Sequence, residues 1–190
     1  MSKTAGALLA DMGSRALLGQ SDGHFETATA DEAVTEFYRT HYASLVRLSA
    51  ILLGDRGIAE EVVQDAFVAM HGSWNRLRDP DKAVAYLRQA VVNRSRSKLR
   101  HRAVVAKYPQ APPPDVASAE SYAVAAVERA EVLRALRELP RRQRETLILR
   151  YYSDLSEIQI ADTLGISQGA VKSHASRGLA ALRNLLEKTS

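Results

Sequence analysis

The chain contains no cysteine among its 190 residues, and aromatic side chains make up only 6% of it. Without cysteine there can be no disulfides, no thiol catalysis and no Cys-ligated zinc, and a reducing cytoplasm is the matching compartment. No stretch of any length alternates apolar and polar residues as a half-buried strand does, so an all-α fold is predicted. The length suits one ordinary domain or two small ones.

The sequence also lacks the patterns that carry enzyme chemistry. It has no Gly-rich phosphate loop, no nucleophile elbow and no His or carboxylate set at metal spacing. His41 lies on the apolar stripe of a predicted helix without a second ligand near it, so we interpret it as a packing residue. We therefore expect no enzyme activity, no cofactor and no metal site.

Long hydrophobic runs are missing as well. The apolar run at residues 5–10 is followed at once by Asp11, Gly13 and Arg15, which makes it too short for a secretory signal or a bilayer span. Small and polar residues follow, as is typical of mobile termini. We predict a flexible N-terminal extension over residues 1–29, a cytoplasmic location and no membrane insertion.

The most informative pattern covers residues 155–183, where two short helices meet at a tight turn, the arrangement of a helix-turn-helix. Ser156 and Gln159 predict a capping box at the start of the first helix. Gly165 supplies the left-handed residue that ends it, and Ser167 is the expected N-cap of the second. The predicted inward positions are Ile158, Ala161, Leu164, Ile166 and Val171.

The second helix of this motif carries a polar face of amide, hydroxyl, ammonium and guanidinium groups. Such a donor-rich face on a helix that can enter a groove is typical of DNA reading. A solvated face on an ordinary helical hairpin is the alternative interpretation. The residues of the face are Gln168, Lys172, Ser173, Ser176 and Arg177.

Three amphipathic helices are predicted upstream of the motif. The first begins at a capping box of Thr29 and Glu32 and ends at Gly54. Asp55 caps the second, whose polar face carries an acidic strip that, from the residues alone, is ordinary solvated surface. An N-cap followed by proline, at residues 79–80, opens the third.

The third helix begins apolar and ends strongly basic. The net charge of the chain is only +4, yet this helix carries a run of cations with no acid among them. Like charges at helical spacing repel, and phosphate contact is the usual compensation, with a helix-dipole role as the alternative. The cations are Arg88, Arg94, Arg96, Lys98, Arg100 and Arg102.

Proline marks a division of the chain. Four of the six prolines lie at positions 109, 112, 113 and 114, where no helix can continue. We therefore predict two small helical domains, 30–103 and 121–188, joined by a flexible Pro-rich linker over 104–120.

These motifs resemble bacterial extracytoplasmic-function (ECF) RNA polymerase sigma factors of the actinobacterial sigma-E type. The segment 54–67, which ends in AEEVVQDAF, is similar to their region 2.2. Two such blocks in the right order are specific to the family. The similarity to region 4 is carried by LPRRQRE at 139–145, LRY at 149–151, LSEI at 155–158, LGIS at 164–167 and GAVKS at 169–173.

The resemblance implies a role in transcription initiation, with core RNA polymerase (β′ clamp helices and β flap) and promoter DNA as partners. Region 2.2 would dock on polymerase through Glu61, Gln64, Asp65 and Phe67. Region 2 would read and melt the −10 element through Arg76, Arg78, Tyr86, Asn93, Arg94, Ser97 and Lys98, stacking on unpaired bases. Region 4 would read the −35 element through the five helix-turn-helix residues above, with Arg150 on a phosphate.

Two departures from the family leave the −10 preference open. Tyr86 stands where the family commonly has Trp, and Ser97-Lys98 stands where an Asp-Tyr pair is frequent. The resemblance also leaves room for an anti-sigma factor or another regulator as a partner. The alternative function is a stand-alone helix-turn-helix regulator that binds a palindrome as a dimer, which gives no reason for a second helical domain.

Overall fold

The computed structural model describes residues 30–76, 79–105 and 123–188, and within these ranges it contains helices and no strand. The all-α prediction is therefore confirmed. The predicted N-terminal extension, its capping residue Thr29 and most of the predicted linker lie outside the described residues. The helices are α1 Ala30–Leu53, α2 Arg56–His71, α3 Pro80–Val105, α4 Ala123–Glu138, α5 Arg141–Tyr151, α6 Glu157–Leu164 and α7 Gln168–Glu187, with a 3-10 turn at Trp74–Arg76.

The helix boundaries follow from local capping chemistry. Asp55 accepts a hydrogen bond from the backbone N–H of Ile58 at 3.0 Å, which caps α2. At the start of α6 the Ser156 N–H donates to the Gln159 side chain at 2.9 Å, while the Gln159 N–H donates to the Ser156 hydroxyl at 3.3 Å. Gly165 ends α6 with a φ of 64°, in the left-handed region that glycine favours. These predicted caps are confirmed.

Helices α1, α2 and α3 form the first packed unit. The inner face of α2 is fully enclosed, because side chains at three- and four-residue spacing point to one side of a helix. Trp74, in the turn after α2, lies edge-on to Phe37 of α1 with ring centroids 6.0 Å apart. The buried residues of α2 are Ala59, Val62, Val63, Ala66, Phe67 and Met70.

Helices α4 to α7 form the second unit, which contains the helix-turn-helix. At Gly178, α7 passes so close to α5 that an added Cβ would lie 3.2 Å from Leu147. One predicted inward position is wrong: Ile158 is 58% exposed, whereas Ile160 is fully buried. Residues two apart on a helix point about 200° from each other, so burial of Ile160 in α6 places Ile158 on the solvent side.

The two units contact each other directly and share one hydrophobic cluster. The guanidinium of Arg96 on α3 donates two hydrogen bonds of 2.8 Å to the Glu145 carboxylate on α5. Arg47 of α1 donates to the Tyr152 hydroxyl at 3.0 Å. Helix α3 continues to Val105, past the predicted domain boundary at 103. The described residues therefore form a single packed assembly of two helical units.

Asp55 joins two elements of the first unit, and its replacement tests this junction. It caps α2 and also pairs with Arg102 of α3 at 2.6 Å. Asp55→Ala removes both contacts, and we expect the free energy of unfolding at pH 7 to fall by about 1 kcal/mol, as is typical for a lost N-cap. Asp55→Asn keeps the capping oxygen and loses only the charge, so its loss should be smaller. Urea denaturation measures both.

The difference in unfolding free energy between the native chain and Asp55→Asn should depend on pH. The Ile58 N–H, together with the Arg102 guanidinium, holds the pKa of Asp55 below its usual value of 3.8. A carboxylate with a lowered folded pKa contributes stability above its unfolded pKa and loses it as pH falls through the folded pKa. The difference between the native chain and Asp55→Asn should therefore shrink below pH 4. An unchanged difference at low pH would show that the charge of Asp55 contributes nothing.

Candidate nucleic-acid interface

Helix α7 presents one face to the protein and the other to solvent. Its inner face packs on α5 and α6 through Val171, Ala175, Gly178 and Leu182, which are buried. A serine cap positions its N-terminus, because the Ala170 N–H donates to the Ser167 hydroxyl at 3.2 Å. The outer face is therefore held rigidly by the packing beneath it, as a surface that enters a groove must be.

The structure brings all five polar residues predicted for α7 onto this outer face. Gln168, Lys172, Ser176 and Arg177 are exposed, and Ser173 is partly exposed. The Arg177 guanidinium donates to both the backbone carbonyl and the hydroxyl of Ser173. Arg177 is thus ordered along the helix surface, with its remaining donors available to a ligand.

A carboxylate that the sequence analysis missed lies beside this face. Glu157, the first residue of α6, accepts from Arg150 at 3.3 Å and lies 3.7 Å from the Lys172 ammonium. In sequence, an acid in the first turn of a helix indicates only an interaction with the helix dipole. Its position between two cations from α5 and α7 depends on how the three helices pack.

The residues predicted to contact the −10 element lie along α3 and the turn before it. Tyr86, Asn93 and Ser97 fall seven and four residues apart and so share one face of the helix. Asn93 and Ser97 are exposed, whereas Tyr86 is half-buried against the core. Arg76 is exposed in the 3-10 turn, and Arg78 lies outside the described residues. The structure therefore places an amide and a hydroxyl side by side on one surface.

The basic end of α3 is neutralised in a way that the sequence analysis did not predict. Lys98 pairs with Glu61 of α2 at 3.0 Å, Arg102 with Asp55, and Arg96 with Glu145. Three of the cations on this helix thus have carboxylate partners within the protein, and their predicted contact with phosphate stays a prediction. Arg94 stays partly exposed on the same helix. The acids come from other helices, which a count along the chain does not reveal.

The acidic strip of α2 is exposed at Glu61, Gln64 and Asp65. Phe67 was expected on the same surface, but it is only 4% exposed and its ring packs against Tyr38 with centroids 5.1 Å apart. Its predicted place on an accessible strip is wrong, because its position on α2 points into the core. Val68 was missed: it is 72% exposed and lies four residues after Gln64, on the same face.

Comparison with known proteins decides the family. Residues 37–104 match the Sigma-70 region 2 family, and residues 129–182 match Sigma-70, region 4. The chain is 34% identical to the RNA polymerase sigma-E factor of Streptomyces avermitilis over 152 residues, which covers 80% of this chain and 84% of the relative. It is also 30% identical to the ECF RNA polymerase sigma factor SigM of Mycobacterium tuberculosis, covering 81% and 77%.

The chain belongs to the ECF sigma factors. Region 2 of this sigma factor corresponds to α1–α3, and region 4 to α4–α7. The resemblance inferred from the sequence motifs is therefore confirmed, together with the role of an RNA polymerase sigma factor in transcription initiation. The individual contact residues remain predictions.

Solved structures support the same fold. CnrH, solved in complex with the cytosolic domain of CnrY, aligns with a TM-score of 0.64 at 23% identity, over 98% of this chain and 99% of that one. RpoE of Bartonella quintana, solved with the anti-sigma factor NepR, aligns with a TM-score of 0.62 at 22% identity, over 80% and 98%. At these identities the likeness concerns the fold alone.

The described part of the sigma factor contains neither a cluster of metal ligands nor a helix suited to a bilayer. No group of three or more His, Asp or Glu side chains there lies close enough together to hold a metal ion. None of the helices there combines the length and the apolar composition that a membrane crossing needs.

Replacement of Glu157 tests whether it restrains the two cations beside it. In Glu157→Gln, Arg150 and Lys172 lose their shared carboxylate and can turn toward DNA phosphates. We expect tighter binding to nonspecific duplex DNA and a steeper dependence of log K on log salt, by about 1 for each additional phosphate that is neutralised. Fluorescence anisotropy at several salt concentrations measures both. Glu187→Gln, the same charge change at the far end of α7, is the control, and an equal steepening there would contradict the role of Glu157.

Proposed function

We propose that this ECF sigma factor binds core RNA polymerase and directs it to promoters, with region 4 on the −35 element and region 2 on the −10 element, where it also promotes DNA melting. The observation that carries the proposal is the rigid, exposed donor face of α7 in a chain that also contains region 2. The protein would work in the cytoplasm, without enzyme activity and without a cofactor. A stand-alone helix-turn-helix regulator does not account for region 2.

The proposed −35 contact rests on the geometry of α7. Gln168 at its N-terminus and Lys172 one turn later can reach base edges when the helix enters a major groove. Arg177, further along the same helix, carries a guanidinium that suits guanine or a phosphate. Arg150 lies at the side of this face, on α5, and from there it would contact a phosphate of the DNA backbone.

The proposed −10 contact rests on α3 and the turn before it. Asn93 and Ser97 offer hydrogen-bonding groups to the edges of unpaired bases, and Tyr86 offers an aromatic ring at the margin of the same face. Stacking and edge contacts are how proteins hold single strands. Arg76, Arg78, Arg94 and Lys98 would contribute positive charge that attracts the phosphate backbone of the DNA strand.

The proposed polymerase contact is the outer face of α2. Glu61, Gln64 and Asp65 provide acceptors, and the exposed side chain of Val68 provides an apolar centre among them. An apolar centre with a polar rim is the usual anatomy of a protein interface. Buried Phe67 would support this face from beneath instead of touching the partner. Binding of polymerase to this face would account for the exposure of Val68 in the free protein.

A protein regulator is a second class of partner. The two solved structures described above are complexes with another protein, and one of those proteins is named an anti-sigma factor. By likeness of fold, the proposal extends to an anti-sigma factor or similar regulator that binds this chain.

Reversing the charge of Asp65 tests the docking face and the overall function together. Asp65→Arg should weaken binding to core polymerase, and with it promoter-dependent transcription, because Asp65 is exposed and its replacement disturbs no core contact. The measurements are co-elution with core polymerase and reconstituted transcription. Glu138→Arg, the same change at an exposed position of α4, should behave as the native chain. Normal core binding by Asp65→Arg would show that another face docks, and absence of transcription by the native chain would refute the function.

We expect region 4 to contribute sequence discrimination through base contacts, and the basic residues of region 2 to contribute affinity through phosphate contacts. Arg177→Ala should lower discrimination between matched and mismatched −35 sequences, since a bidentate base contact contributes on the order of 1 to 3 kcal/mol. The double variant Arg94→Ala/Lys98→Ala should weaken binding to many promoters alike and flatten the salt dependence. Promoter selection in reconstituted transcription at two salt concentrations measures both. Equal loss on matched and mismatched −35 sequences for Arg177→Ala would assign it to a phosphate instead.

A further inference from the structure

Glu157 places a hydrogen-bond acceptor beside the donor-rich face of α7. Its carboxylate lies 3.7 Å from the Lys172 ammonium, while Arg150 donates to it from α5 at 3.3 Å. The distance to Lys172 is longer than a hydrogen bond, so the two charges attract each other while the N–H groups of the ammonium can still bind a ligand. Glu157 and Lys172 therefore present an acceptor group and a donor group side by side.

Both members of this pair lie on parts of the helix-turn-helix that approach DNA. Lys172 is in the second turn of α7, and its side chain is 68% exposed. A helical side chain leans toward the N-terminus of its helix, which is the end that meets base edges in such a motif. Glu157 is the first residue of α6, the helix that crosses the DNA backbone. The acceptor would thus lie beside the residue that enters the groove.

A carboxylate in this place lowers the affinity for DNA of any sequence. It repels phosphates, and it competes with them for Arg150 and Lys172. Solvent screens it only in part, since the side chain is 29% exposed. Specificity is a difference between affinities, so a group that weakens general binding can still raise discrimination when one base pair accommodates it and the others do not.

The major-groove edge of a G·C base pair matches a cation with a neighbouring carboxylate. From the guanine side it presents two acceptors, N7 and O6, and then the cytosine N4 amino group as a donor. A hydrogen bond of the base pair joins O6 to N4, so these atoms lie about 3 Å apart. The Lys172 nitrogen and the Glu157 oxygen are 3.7 Å apart. The ammonium can therefore bind N7 and O6 while the carboxylate accepts from N4.

The other three base pairs fit the same placement less well. An A·T pair would set the adenine N6 amino group against the ammonium and the thymine O4 against the carboxylate, and both contacts are repulsive. A C·G pair likewise sets an amino group against the ammonium and O6 against the carboxylate. A T·A pair keeps one contact for each group but replaces N7 by the thymine methyl. The expected order of preference is G·C, then T·A, with A·T and C·G last.

We propose that Lys172 and Glu157 together read one G·C pair of the −35 element, with Lys172 on the guanine and Glu157 on the paired cytosine. In this role, which rests on the proposed −35 contact of α7, Glu157 adds a residue of α6 to the DNA-reading surface. Arg150 offsets the charge of the carboxylate beside the DNA backbone. Tighter nonspecific binding of Glu157→Gln and weaker discrimination by it are two consequences of the same missing charge.

A promoter library tests this assignment in reconstituted transcription. Core polymerase with the full chain transcribes templates that are randomised over the promoter region, and barcodes in the transcripts report the preference at each position. The native chain should prefer G·C at one −35 position by about tenfold. Lys172→Ala and Glu157→Ala should both lose the preference at this same position and keep the others. Glu157→Ala leaves the capping box of Ser156 and Gln159 in place, so α6 should still form.

Lys188→Ala and Glu187→Ala are the matched controls. They make the same changes at exposed positions at the far end of α7 and should keep the native profile. Loss of preference at different positions in Lys172→Ala and Glu157→Ala would overturn the proposal, as would an equal loss on all templates for Lys172→Ala. A native chain that starts no transcription would instead refute the proposed function, an outcome distinct from transcription with an unaltered preference.

Base analogues identify the contacting atoms. In a synthetic duplex of the selected sequence, 7-deazaguanine removes the guanine N7, and pyrimidin-2-one in place of cytosine removes the N4 amino group. Fluorescence anisotropy with core polymerase and the native chain should show about tenfold weaker binding to each analogue. Lys172→Ala should no longer respond to the loss of N7, nor Glu157→Ala to the loss of N4. The comparison between chains cancels the weaker pairing of the analogue itself, so full sensitivity of Glu157→Ala to the loss of N4 would overturn the cytosine contact.

Discussion

The ion pair between Arg96 and Glu145 is the contact on which the relative placement of the two described helical units depends. It joins α3 to α5 through two hydrogen bonds of 2.8 Å, where solvent screens the charges little. Around it, Arg47 binds Tyr152 and Gln89 reaches Asp162, so three polar contacts surround one hydrophobic cluster. An ion pair of this kind favours one relative placement of two helical units, whereas apolar contact alone permits several.

The surfaces proposed to contact partners differ in how firmly the protein holds them. Helix α7 is anchored by Gly178 against α5 and by a serine cap, so its outer residues are presented at a defined angle. On α3, Asn93 and Ser97 are exposed, whereas Arg96 of the same helix is bound by Glu145 of region 4. The polar face of α7 is therefore presented to solvent, while part of the polar surface of α3 is engaged by region 4.

Charge along the sequence was a poor guide to charge at the surface. The cations of α3 form an unbroken basic run in the sequence, yet Glu61, Asp55 and Glu145 approach three of them from outside that helix. Conversely, Glu157 is a simple first-turn acid in the sequence, whereas packing places it between Arg150 and Lys172. Ion pairs between distant residues depend on which helix faces meet, and a linear pattern contains no such information.

Capping residues, helical periodicity and the helix-turn-helix were determined by the sequence itself, because each depends on hydrogen bonds and dihedral preferences within a few residues. Asp55, Ser156, Gly165 and Ser167 act as their local chemistry requires. Tertiary structure alone decided that Ile160 and not Ile158 faces inward, that Phe67 is buried, and that region 4 rests on α3. Those outcomes depend on the rotation and docking of whole helices, which are set by the close packing of side chains far apart in the chain.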